Sequence, residues 1–171
     1  MLPRVEEDQL EQKEEEEEKT SHKYGKIVAA DDQNINIEVL KTDFAELNLT
    51  DKVEFASNGQ EVIDLVKEIF VACASKITST TQVLKPIDLL LIDFQMPFKT
   101  GFQVIEEIKQ YYKTQSQGYS VEEPIFVLMS AYATPAFRKH ALANGVTHVY
   151  EKPLDIEQLK ALVDLSANGV P

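Results

Sequence analysis

Leu89-Leu90-Leu91-Ile92-Asp93-Phe94-Gln95-Met96-Pro97 is an aliphatic run that stops at a carboxylate and then turns. Consecutive aliphatic side chains suit a strand buried on both faces. In a parallel α/β sheet the residue just past such a strand faces the ligand crevice, so Asp93 is predicted to stand where chemistry can occur.

Short apolar runs alternate with amphipathic stretches from Lys26 onward, which predicts five βα units and a parallel sheet. The first strand, Ile27-Val28-Ala29-Ala30, ends at Asp31-Asp32 and precedes a helix with Ile37, Leu40, Phe44 and Leu47 at helical spacing. Val53-Glu54-Phe55-Ala56 is the second strand, and Asn58-Gly59 turns the chain into a helix bearing Val62, Leu65, Val66 and Ile69. Residues 87–92 form the third strand, followed by a helix that presents Phe102, Ile105 and Ile108. The fourth strand spans 124–129; its helix opens with Thr134 as N-cap and Pro135, and stops at Asn144-Gly145. The fifth spans 146–150, and Asp155 with Gln158 makes a capping-box-like start for a helix carrying Ile156, Leu159, Leu162 and Val163. Two long connections, 75–85 and 113–123, both precede strands and are expected as surface elaborations at the end opposite the crevice.

A length of 171 residues with 43% hydrophobic content supports one domain with a proper core. That domain is expected over residues 24–168. Residues 1–23, dominated by acids and by the run Glu14-Glu15-Glu16-Glu17-Glu18, read as a solvated or weakly helical tail, and 169–171 as the C-terminal end. The net charge of -12 argues against direct nucleic-acid binding, which needs clustered Lys and Arg. No apolar stretch is long enough to suggest a membrane span, and the N-terminus lacks a signal-peptide core, so the cytoplasm or nucleus is the expected location. Cys73 is the only cysteine; it excludes an internal disulfide and a cysteine metal cluster, and its spacing from Ile69 suggests packing.

Right-handed crossovers bring the carboxyl ends of all the strands to one edge of the sheet. That edge gathers Asp31, Asp32, Asp93, Ser130 and Lys152, with Pro153 behind the lysine. A cluster of hard oxygen ligands suits Mg2+, and a lysine with a hydroxyl suits the spread charge of a phosphoryl group. Among the acids, Asp93 is the plausible nucleophile. Taken singly, each residue has a blander reading. Asp31 or Asp32 could cap the next helix, Ser130 could serve a turn, Lys152 could be solvated, and Pro153 could mark a helix entry. His22, His140 and His148 have neither metal-site nor triad spacing.

Five motifs in order carry a resemblance: Val28-Ala29-Ala30-Asp31-Asp32, Ala56-Ser57-Asn58-Gly59, Leu91-Ile92-Asp93-Phe94-Gln95-Met96-Pro97 with Gly101, Met129-Ser130-Ala131, and Glu151-Lys152-Pro153. Over about Lys26 to Ala167 the chain resembles the receiver domain of two-component response regulators. The resemblance implies a flavodoxin-like, doubly wound (βα)5 fold with a five-stranded parallel sheet in strand order 2-1-3-4-5. It implies Asp93 as phosphoacceptor, Asp32 as a direct Mg2+ ligand and Asp31 as its support. The backbone carbonyl of Gln95 would complete the metal shell, while Ser130 and Lys152 would each bond a phosphoryl oxygen. The donor would be a phosphohistidine on a histidine kinase or histidine phosphotransfer protein, and the reader a downstream effector protein. Such a chain is a signalling module and not an enzyme.

Receivers usually carry an aromatic three residues before the lysine, where this chain has Val149. Strand alternation sends the neighbouring Tyr150 to the other face. Either His148 or Tyr150 substitutes, or the signal is read directly on the surface of the fourth helix, fifth strand and fifth helix. Tyr132 and Gln95, each two residues past a site residue, would flank the path of attacking water.

Two rivals differ in kind. A phosphatase of the haloacid dehalogenase type also uses a strand-end Asp with Mg2+ but expects a second Asp two residues on, where Gln95 stands. A pseudo-receiver would act as an interaction module only, against which the intact acidic, hydroxyl and lysine set argues. Neither GxxxxGK[ST] nor GxGxxG occurs, which disfavours a nucleotide site. With Pro171 soon after the fifth helix, a stand-alone receiver or one detached from a hybrid kinase is expected.

Overall fold

The computed structural model describes residues 25–76, 83–116 and 120–168. The expected acidic tail, the last three residues and the middle of each long connection lie outside these. The central strands are β1 (Lys26–Ala30), β4 (Ile87–Asp93) and β6 (Ile125–Ser130), and every residue of β4 and β6 is buried. Such double-sided burial is what an aliphatic run without alternation requires. β2 (Val53–Ala56) and β7 (His148–Glu151) flank them in the order β2-β1-β4-β6-β7, all parallel. Numbering the long strands alone, this is the expected 2-1-3-4-5.

Side-chain alternation along the strands splits the core into two layers. Val28, Ala30, Leu90, Ile92, Phe126, Leu128 and Val149 meet α2 (Gly59–Ala74), α3 (Gly101–Gln115) and α4 (Pro135–Ala143). Ile27, Ala29, Leu89, Leu91, Val127 and Met129 meet α1 (Asn34–Glu46) and α5 (Ile156–Asn168). The chain leaves β1 toward one side for β2 and crosses back to β4 on the other. A switch point therefore opens between the carboxyl ends of β1 and β4.

Helix starts follow the sequence signals closely. Thr134 Oγ1 accepts from Phe137 N at 3.2 Å with Pro135 at the first turn. Asp155 and Gln158 bond each other's backbone N–H reciprocally at 2.8 and 3.2 Å. Thr100 and Gln103 form a further capping box that opens α3. At the end of α4, Gly145 takes φ +81, a conformation that favours glycine.

Two expectations shift. The buried stripe of α2 is Val62, Ile63, Val66 and Phe70, with Leu65 and Ile69 only partly buried. Aliphatic residues occupy both candidate stripes, so periodicity alone could not centre the face. In α3 the deep residues are Val104, Ile105, Ile108 and Tyr112, while Phe102 is partly exposed. The long connections also contain two-residue strands, β3 (Val83–Leu84) and β5 (Ser120–Val121), which pair in parallel as a second small sheet. Among the described residues no helix is long and apolar enough to cross a membrane.

Gly101 positions the site by close approach. A Cβ there would lie 2.4 Å from Leu128 Cδ1 and 2.9 Å from the Asp93 carbonyl oxygen. Gly101→Ala is expected to lower stability by about 1–3 kcal/mol, the range of overpacked cores. A urea midpoint equal to that of the parent would contradict this.

Candidate functional site

Asp31 follows β1 directly, and its N–H donates to Ala56 O on β2 at 3.2 Å, which pins its backbone to the sheet. Its carboxylate is buried and fully engaged. Oδ1 accepts from Gln33 N at 2.9 Å and Asn36 Nδ2 at 3.0 Å, while Oδ2 accepts from Lys152 Nζ at 2.6 Å. Asp31 thus helps start α1 and also lines the crevice. Asp32 is exposed and makes no hydrogen bond or ion pair among the described residues.

Asp93 is the last residue of β4 and only 4% exposed. Its Oδ1 lies 2.9 Å from Lys152 Nζ, so one ammonium bridges two buried carboxylates. The turn beyond it is held by Phe94 N donating to Met129 O at 2.8 Å and Gly101 N to Phe94 O at 2.9 Å. The Phe94 ring packs edge-on against Phe102 and Phe137, and Phe102 against His140. This aromatic group anchors the wall of the site against α3 and α4.

Ser130 is the last residue of β6, buried, with its hydroxyl turned into its own loop. Oγ accepts from Tyr132 N at 3.2 Å and donates to Tyr132 O at 3.4 Å. Lys152 N donates to Ser130 O at 2.9 Å, which ties the lysine's backbone to the strand carrying the hydroxyl. The Lys152–Pro153 peptide is cis, and Leu154 behind it is buried.

Together Asp31, Asp32, Asp93, Gln95, Ser130 and Lys152 line one cavity of 420 Å³ at the switch point. The six candidate site residues read from sequence thus meet there, Gln95 as an exposed one. Val149 faces the α4 layer, and Tyr150 packs on the opposite one. Tyr132 is exposed, and its backbone N–H donates to Ser130 Oγ.

Burial and close charges shift both partners of the central ion pair. Burial pushes the Asp93 carboxyl above its ordinary value; Lys152 opposes the rise and Asp31 adds to it. Burial alone would lower the Lys152 pKa, but hydrogen bonds to Asp31 and Asp93 outweigh it and raise the value. A carboxylate oxygen from each of Asp31, Asp32 and Asp93 lies within 4.8 Å of the others. Three carboxylates against one ammonium leave excess negative charge, and the donors are all oxygen. That set fits a hard divalent cation.

Asn36 was not visible as a functional position, yet its amide holds Asp31. The one available signal is that asparagine is a poor residue for a first helical turn unless its side chain has a partner.

The fold and this pocket define a doubly wound α/β domain with an acidic crevice. The chain belongs to the response regulator receiver domain family, whose profile matches residues 27–164. It is 22% identical over 141 residues to the hybrid signal transduction histidine kinase K of Dictyostelium discoideum, covering 82% of this chain but 10% of the kinase. It is 28% identical over 112 residues to the two-component response regulator ARR17 of Arabidopsis thaliana, covering 64% of this chain and 66% of that one. Among solved structures it resembles the receiver domain of Ssk1 from Saccharomyces cerevisiae, co-crystallised with the histidine phosphotransfer protein Ypd1. The TM-score is 0.65 and the identity 19%, with 85% of this chain and 91% of that chain covered.

Proposed function

We propose that this receiver accepts a phosphoryl group on Asp93 from a phosphohistidine of a histidine kinase or histidine phosphotransfer protein. The phosphorylated form is then read by a downstream effector protein. The observation that carries this reading is the single ammonium of Lys152 set between Asp31 and Asp93, with Ser130 across the same cavity. An Asp93 oxygen attacks phosphorus, the P–O bond forms as the P–N bond to the donor imidazole breaks, and the released ring nitrogen takes a proton from solvent.

Asp32, Asp93 and the Gln95 backbone carbonyl would hold Mg2+, with Asp31 as support. Its other hydrogen bonds occupy Asp31, whereas Asp32 is free to turn inward. When bound, the metal would neutralise developing charge on the phosphoryl oxygens. Lys152 supplies a positive charge for one oxygen and orients Asp93 before transfer. Ser130 would exchange Tyr132 O for another oxygen as hydrogen-bond acceptor. Ile35 and Val39, exposed on α1 with Val39 at the cavity wall, offer an apolar surface suited to a helical donor protein. This setting is cytoplasmic or nuclear.

Incubation with Mg2+ and acetyl phosphate, or with a phosphorylated histidine carrier, is expected to add one phosphoryl group by intact mass. No adduct from either donor would overturn the reading. Two residues past Ser130, the exposed Tyr132 ring would flank the path of attacking water, and Tyr132→Ala is expected to shorten the adduct's lifetime severalfold. An unchanged decay of the adduct would remove Tyr132 from this role.

A further inference from the structure

Arg138 is the half-buried cation of α4, and among the described residues no carboxylate pairs with it. Its guanidinium is instead spent on two backbone carbonyls. Nε donates to Ala133 O at 3.0 Å, and Nη1 donates to Val149 O in a short contact. Ala133 lies three residues after Ser130, and Val149 three residues before Lys152. One planar fork therefore staples together, behind the cavity, the two segments that deliver the hydroxyl and the ammonium.

The fork also opens on a second place. Arg138 and Val149 line a groove of 610 Å³ between α4, β7 and the start of α5, together with Leu142, His148 and Tyr150. Val149 is small and buried in the α4 layer, so a guanidinium can reach past it to the main chain. His148 Nε2 is buried here without a hydrogen-bond partner, so small displacements can change its bonding.

We propose that Arg138 is a positioning residue that couples the Ser130 loop to the α4–β7 groove. This rests on the reading of Asp93 as phosphoacceptor. For Ser130 Oγ to donate to a phosphoryl oxygen on Asp93 it must leave Tyr132 O. The loop follows, Ala133 O moves relative to Nε, and the guanidinium passes the displacement to Val149 and the groove. The coupling runs from Ser130 Oγ through Tyr132 and the adjoining Ala133 main chain, then through the two Arg138 hydrogen bonds, to the groove.

The test is NMR of the whole chain with Mg2+ and beryllofluoride, a phosphoryl mimic, compared at equal occupancy of Asp93. In the parent protein the Arg138 Nε–H signal and the amides of Leu142, His148 and Tyr150 are expected to shift together. In Arg138→Met the groove shifts are expected to shrink by roughly twofold or more, with Arg138→Lys recovering part. Groove shifts in Arg138→Met equal to those of the parent would overturn the proposal. So would an Arg138 Nε–H signal that does not move in the parent, a readout that needs no variant to fold. If neither beryllofluoride nor acetyl phosphate modifies the parent at Asp93, the phosphoacceptor reading fails first and this inference with it.

Discussion

Asp93→Asn is expected to lose the phosphoryl adduct completely and, in metal-free buffer, to unfold at a higher temperature than the parent at neutral pH. The first result follows from chemistry: an amide oxygen is not a nucleophile toward phosphorus at neutral pH. The second follows from the sign of the carboxyl's shift. Asp93 has a folded-state pKa above the ordinary 3.8, with burial the largest cause. The stability this group contributes is present below 3.8 and is lost as pH rises through the folded value. Ionised Asp93 therefore weighs against the fold at pH 7, whereas asparagine keeps a neutral side chain of the same shape. Lys152 retains Asp31 at 2.6 Å, so its charge is not orphaned. Thermal unfolding with a chelator, at pH 7 and again near pH 3.5, should show the variant ahead at pH 7 and the gap closing in acid. A variant less stable than the parent at pH 7 would contradict the assigned electrostatics. An adduct that survives the substitution would place the phosphoacceptor elsewhere.

What the sequence disclosed of this site depends on where information is local. Asp31, Asp93 and Ser130 terminate aliphatic runs, and Lys152 precedes a proline. Each was readable because a strand end is a change of pattern within a few residues. Parallel topology then supplied the convergence, since every βα unit delivers its strand end to the same edge. Other features depend on contacts between distant segments. β3 and β5 are two residues each, too short for any period, and exist only because residues 83–84 meet 120–121. Asn36 and Arg138 matter through the atoms they reach, an Asp31 oxygen and two carbonyls, and neither target leaves a mark on the neighbouring sequence. The centre of the α2 stripe was hidden for the opposite reason: Ile63, Leu65, Ile69 and Phe70 offer too many apolar choices.

Lys152→Met is expected to be the most damaging single change to stability in the site. The ammonium is the shared partner of Asp31 and Asp93, both nearly inaccessible to water. Methionine preserves the length and most of the packing but leaves two adjacent buried carboxylates without their counter-charge. Removing one partner of a buried ion pair costs about 3–5 kcal/mol. Asp31 keeps the bonds from Gln33 N and Asn36 Nδ2, so the greater burden falls on Asp93. Its pKa, already raised by burial, rises further once the opposing lysine is gone. Stability in the variant is thus present at low pH and lost as pH climbs through that value. Urea midpoints in chelator should show a large deficit at pH 7 that narrows near pH 3.5, as Asp93 takes up a proton. Mg2+ should recover part of the pH 7 deficit, because a cation bound only by the folded state stabilises it in proportion to its occupancy. A deficit equal at both pH values would mean that Lys152 acts through packing and not through charge. A Mg2+ effect absent from parent and variant alike would remove the metal from the proposed site.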